Sequence, residues 1–155
     1  MSYINTATGA YPLSADDIRA AFPNTSFPET VTGFETAIQR EGYEKVAQTP
    51  QPSVDYTKDV TEGAPEEQDG SYVQTWVVTD ASTAEIQQRT DAQAEQVRVE
   101  RNERLAACDW TQLTDSPLSA ETKAAWAFYR ENLRRIPDQP GFPWNVQWPP
   151  TPGTN

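Results

Sequence analysis

The sequence predicts an α+β protein in two parts. Residues 1–80 read as a small antiparallel sheet with short helices on one face, and residues 82–155 as an antiparallel αα-hairpin followed by an aromatic, proline-rich tail. Three features carry that expectation. The hydrophobic period changes from helical to alternating after Gly42. It changes back at Ser82, and from there to Cys108 neither glycine nor proline occurs. Finally, Trp126, Tyr129, Leu133 and Ile136 recur at helical spacing and mark one buried face.

In the first part, Tyr3 to Asn5 and Ala10 to Leu13 read as short extended segments broken by Thr8-Gly9. Ser14 precedes Asp17 by three residues, a capping-box spacing, and Ile18, Ala21 and Phe22 give the brief helix behind it an apolar face. Phe27-Pro28 leads into a second helix with Val31, Phe34 and Ile38 on one side, closed by Gly42. Tyr43 to Ala47 then reads as a strand, and Val54 to Glu62 as another after Pro50 and Pro52. The stretch GAPEEQDG reads as an acidic loop into SYVQTWVVTD, where β-branched and aromatic residues are dense. A hairpin with a long turn is the economical interpretation.

The second part opens with another capping box, Ser82 with Glu85, and a helix over about 83–108. Its apolar positions are sparse: Ile86, Val97, Val99 and Leu105 among small alanines. Asp91, Glu95, Arg98 and Arg101 are spaced for ion pairs along one face. Such a helix is either solvated along its first half or laid against a partner. Pro117 and Ser119 announce the next helix, about 120–136, which Pro137 stops. Leu105, Trp110, Leu113 and Leu118 are placed to meet its aromatic face. The tail GFPWNVQWPPTPGTN is expected to fold back in part, since each tryptophan removes on the order of 150–250 Å² from water. Trp148, fixed by Pro149 and Pro150, is assigned inward; Trp144, beside Phe142 and near Arg130 or Arg134, is assigned to the surface, with the reverse assignment open.

Composition narrows the function classes. Twelve basic against 23 acidic residues give a net charge of −11, opposed to binding a phosphate backbone, so nucleic acid is an improbable partner. No apolar run approaches the roughly 20 residues that cross a bilayer, and the N-terminus lacks a basic-then-hydrophobic signal, so neither a membrane nor secretion is expected. With no histidine there is no imidazole base or ligand. The lone Cys108 stands at a helix C-terminus beside Asp109, where dipole and carboxylate both oppose a thiolate, so a buried structural thiol is expected. Glu66, Glu67 and Asp69 lack calcium-loop spacing, and no glycine cluster matches a phosphate-binding loop. No enzyme, cofactor or metal is expected. Arg130, Arg134 and Arg135 form the one basic patch, either a contact for an acidic partner or a match to the helix dipole.

The run from Arg101 to Pro152 carries a denser pattern: Cys108-Asp109-Trp110-Thr111-Gln112, then Pro117 and Leu118, then Trp126, Tyr129, Arg130, Leu133 and Arg134, then Pro137, and finally Trp148, Pro149 and Pro152. This closely resembles the phage tail assembly chaperone family. A shorter likeness, in YPLS at 11–14 and FPNTSFP at 22–28, is to small tail-fibre accessory proteins. The resemblance implies a non-enzymatic protein that assists folding or attachment of a tail fibre, expected to be trimeric, in the host cytoplasm, with departure after assembly or retention in the virion both open. A structural fibre adaptor, or a baseplate component with baseplate partners, is the alternative. Trp144, Arg130, Arg134, Phe142 and Trp148 are the expected partner contacts. Cys108, Trp110, Leu113, Leu118, Trp126, Tyr129, Leu133 and Ile136 are the expected structural residues.

Overall fold

A computed structural model describes residues 1–153; the last two residues of the expected second part, 154 and 155, lie outside them. The chain divides between Ala81 and Ser82 into two units. In the first, β1 (Ser2–Asn5) pairs antiparallel with β2 (Tyr43–Ala47), and Tyr3 also bridges to Leu13 across the Asn5–Ala10 turn. Helix α1 (Ala15–Ala21) starts at the predicted box: Ser14 Oγ accepts from Asp17 N while the Asp17 carboxylate accepts from Ser14 N at 2.7 Å. Helix α2 (Val31–Gln39) packs on β2 through Phe34 and Ile38 and ends ahead of Gly42, whose φ of 77° only glycine adopts without strain.

The sheet is mixed, which corrects the all-antiparallel expectation. After β3 (Lys58–Glu62), the segment read as an acidic loop forms β4 (Glu66–Gln68), turns at Asp69-Gly70, and returns as β5 (Ser71–Val73). Both turn residues have positive φ, 52° and 77°, the geometry that favours a two-residue hairpin. β5 then lies parallel to β2, giving a four-stranded sheet in the order β1-β2-β5-β4. At Gln74-Thr75 the chain leaves that sheet, and β6 (Trp76–Asp80) pairs antiparallel with β3 as a separate ribbon. The long hairpin exists as β3 and β6, and its turn is itself a hairpin belonging to another sheet.

Aromatic packing is concentrated in this first unit, not on the C-terminal tail as anticipated. Tyr3, Phe34, Phe27, Phe22 and Tyr43 meet in a chain of edge-to-face contacts with centroids 5.4–5.9 Å apart, around buried Ile18 and Ile38. Helix ends and strands bring these rings to one point. The tail's rings are spread along prolines, where they face arginines: Arg98 lies over Phe142 and Arg104 over Trp148.

In the second unit, α3 (Thr83–Ala107) begins at the Ser82–Glu85 box and buries Ala94 and Val97. A 3₁₀ turn (Asp109–Gln112) leads to α4 (Ala120–Arg134), capped by Ser119 Oγ on Thr122 N, and a second 3₁₀ turn (Ile136–Asp138) carries Pro137 in its first turn. Cys108, Trp126, Tyr129 and Leu133 form the core, with Leu105, Leu118 and Trp148 against it. No helix among the described residues is long and apolar enough to cross a membrane.

Candidate partner-binding site

The second unit is held by three devices besides its apolar core. The first is the junction after α3. Cys108 Sγ lies 3.2 Å from the Arg104 and Leu105 carbonyls, and Thr111, wholly buried, donates Oγ1 to the Cys108 carbonyl at 2.7 Å. Into this junction α4 sends Arg130, whose Nη1 donates to the Leu105 carbonyl at 2.8 Å and to Cys108 Sγ at 3.2 Å, while Nη2 pairs with Asp109 at 2.7 Å. Burial opposes its charge, and the bonds to Cys108 and Asp109 outweigh that, holding the guanidinium above its ordinary range. Arg130 was expected at the surface as a partner contact; its side chain is only 12% exposed and ties α3 to α4.

The second device fixes the tail. Gln139 donates Nε2 to the Gln147 carbonyl at 2.9 Å and accepts from Gln147 N at 2.8 Å, so one amide side chain engages the returning chain at two points. Between them the chain reverses at Gly141. A Cβ there would sit 2.3 Å from the Asn145 carbonyl oxygen, so no other residue fits without rearrangement. Trp148 reaches the core, and Arg104 stacks on its ring at 4.3 Å from the centroid. As the third device, Glu100 holds that guanidinium in place at 2.5 Å, and this hydrogen bond is the main reason the Arg104 pKa lies above its ordinary value.

The expected structural residues separate into two groups. Cys108, Trp126, Tyr129, Leu133 and Ile136 are buried, and Leu118 packs against the core. Trp110 and Leu113 do not meet the aromatic face: they are 44% and 55% exposed. The cause is the 3₁₀ turn. It buries Thr111 and leaves Trp110 outward, and the chain turns extended at Leu113, its C-terminal cap, which is outward as well. Leu113 N donates to the Trp110 carbonyl, closing that turn, and Lys123 Nζ holds the Leu113 carbonyl at 3.2 Å from α4.

Of the other expected contacts, Trp144 is 39% exposed, Phe142 is half-buried beneath Arg98, and Arg134 is exposed within 3.8 Å of Glu131. The sequence reading missed Thr111 and the outward placement of Trp110 and Leu113. Thr111 stands inside the Cys-Asp-Trp-Thr-Gln motif, but only the tight turn assigns it inward. Phe128, on the far side of α4 from the core, is 69% exposed. Among the described residues no group of three or more His, Cys, Asp or Glu side chains is placed to hold a metal ion.

No curated protein and no solved structure matches the chain significantly. Residues 94–153, which hold the α3–α4 junction, α4 and the tail to Gly153, match in part the family described as phage tail assembly chaperone protein, and over that segment the chain is similar to it.

Proposed function

We propose that the chain is a non-enzymatic assembly chaperone for a phage tail fibre, acting in the host cytoplasm, and that it holds the fibre through the outward apolar side chains of its second unit. The family match over residues 94–153 supports the chaperone class. One observation supports the surface: within the matched segment Trp110 and Leu113 are exposed, while the core is built from Cys108, Trp126, Tyr129 and Leu133. Desolvated tryptophan and arginine side chains commonly dominate interface energy. Trp144 and Arg134 are the remaining contacts in this proposal, whereas Arg130 and Trp148 act by keeping the fold.

The test is co-expression with the trimeric fibre encoded by the same phage. The chain should raise the yield of soluble fibre and be recovered with it. Trp110→Ala with Leu113→Ala should abolish both effects at an unchanged melting temperature. An unaltered fibre yield, with the chain present at fixed copy number in purified particles, would replace the chaperone by a structural adaptor.

A further inference from the structure

The acid excess is unevenly distributed. Residues 1–81 hold four basic and thirteen acidic residues, a net charge of −9, whereas residues 82–155 hold eight and ten, a net charge of −2. The first unit also carries an open cleft of about 400 Å³ between α2 and the sheet. One wall is a single face of α2, made of Thr32, Glu35, Thr36 and Gln39 at spacings of three, one and three. The floor is Tyr43, Lys45 and Ala47 of β2, and the opposite rim is Gly70, Ser71 and Tyr72.

The strand register explains why the cleft exists. β1 pairs with β2 from Tyr43 to Val46, but on the other side β5 begins pairing only at Val46. In this register the Val46–Tyr72 bridge engages the Lys45 carbonyl and Glu44 bonds to β1, so the backbone groups of Tyr43 and the Lys45 N–H form a short strand edge in the cleft that β5 does not cover. Backbone donors and acceptors on such an edge are a template for an added extended segment. The rim continues into Asp69 and the acidic strand of Glu66 and Glu67. The Glu35–Lys45 pair at 2.8 Å satisfies the only lysine in the cleft, so that cation is already matched.

From this juxtaposition we propose that the cleft between α2 and β5 docks an extended, lysine- or arginine-rich segment of a partner protein, which adds to the free edge of β2 in the negative field of the first unit. This surface lies on the unit outside the family-matched segment and does not depend on the function proposed above. Association should be steered by charge and weaken with salt.

The probe is a fluorescein-labelled hexapeptide of alternating lysine and threonine, titrated into the full chain, with a glutamate–threonine peptide for comparison. The lysine peptide should bind, and amide shifts should concentrate at Tyr43 to Lys45 and Gly70 to Tyr72. Thr36→Trp fills the cleft without changing charge, and Gln39→Lys adds a cation to its wall. Each should weaken binding by about tenfold or more, equivalent to roughly 1.4 kcal/mol, with the melting temperature unchanged. If Thr36→Trp does not fold, Gln39→Lys and the shift map decide. No binding of the lysine peptide, equal binding of the glutamate peptide, shifts scattered over other acidic surfaces, or unaltered affinity in folded variants would each overturn the proposal.

Discussion

Arg130 terminates a helix to which it does not belong. The Leu105 carbonyl at the end of α3 accepts from Cys108 N at 3.2 Å, and the Arg130 guanidinium adds a charged donor to it while pairing with Asp109. Arg130→Ala should therefore cost about 2 kcal/mol, in the range of hydrogen bonds to charged groups. Arg130→Lys should recover less than half, because an ammonium cannot span carbonyl, sulfur and carboxylate as a planar fork does. Urea unfolding of the two variants checks both. Trp126 is the larger apolar contribution at this scale: it is buried and stacks edge-to-face on Tyr129 at 5.5 Å. Trp126→Ala is expected to destabilise by about 3–5 kcal/mol. A loss below roughly 1 kcal/mol would place the indole outside the core. Its Nε1 is buried with no hydrogen-bond partner among the described residues, so Trp126→Phe, which removes that donor, should cost clearly less than the alanine variant.

At the scale of the element, α1, α3 and α4 owe their starts to short polar side chains, whereas Thr30 ahead of α2 makes no capping hydrogen bond. Ser119 caps α4 alone, and Ser119→Ala should lower stability by about 1 kcal/mol, read from the thermal melt. The caps of α1 and α3 are boxes, and their carboxylates titrate. Hydrogen bonds from Ser14 hold Asp17 below its ordinary 3.8, and those from Ser82 hold Glu85 below its ordinary 4.5. Because the folded values are depressed, the stabilisation is complete above the unfolded values and is lost as pH falls through the folded ones. Carboxyl-carbon NMR titration should find both midpoints below those ordinary values, and Ser82→Ala should move Glu85 back upward. The capping boxes were legible in the sequence because each is complete within four residues. The Asp69-Gly70 hairpin was equally local and was passed over for the acidity around it.

For the whole molecule, the division between Ala81 and Ser82 gives each half its own core. A fragment of residues 82–155 is accordingly expected to fold alone into a helical unit, at reduced stability because a small unit buries little surface. Far-UV circular dichroism showing a random coil for the fragment, beside a folded full chain, would contradict this. The folded fragment should also retain the fibre contact and lack affinity for the lysine peptide, since the two proposed surfaces lie on different units.

The sequence by itself determined where α1, α2, α3 and α4 begin, the buried stripe of Trp126, Tyr129, Leu133 and Ile136, the burial of Cys108, and the likeness of the last third to an assembly chaperone, whereas α4 ends at Arg134 and Pro137 falls in a 3₁₀ turn beyond it. These depend on spacing along one element or on residue identity, and both survive whatever the rest of the chain does. Tertiary structure alone decided that β5 runs parallel to β2, that Arg130 turns inward, and that Trp110 and Leu113 turn outward. A strand's partner depends on a segment roughly 25 residues away, and a tryptophan in a connector can face either side. The sign in each case is set by the surrounding backbone: the Leu105 carbonyl at the end of α3 takes the Arg130 guanidinium, and the 3₁₀ turn that buries Thr111 leaves Trp110 outward.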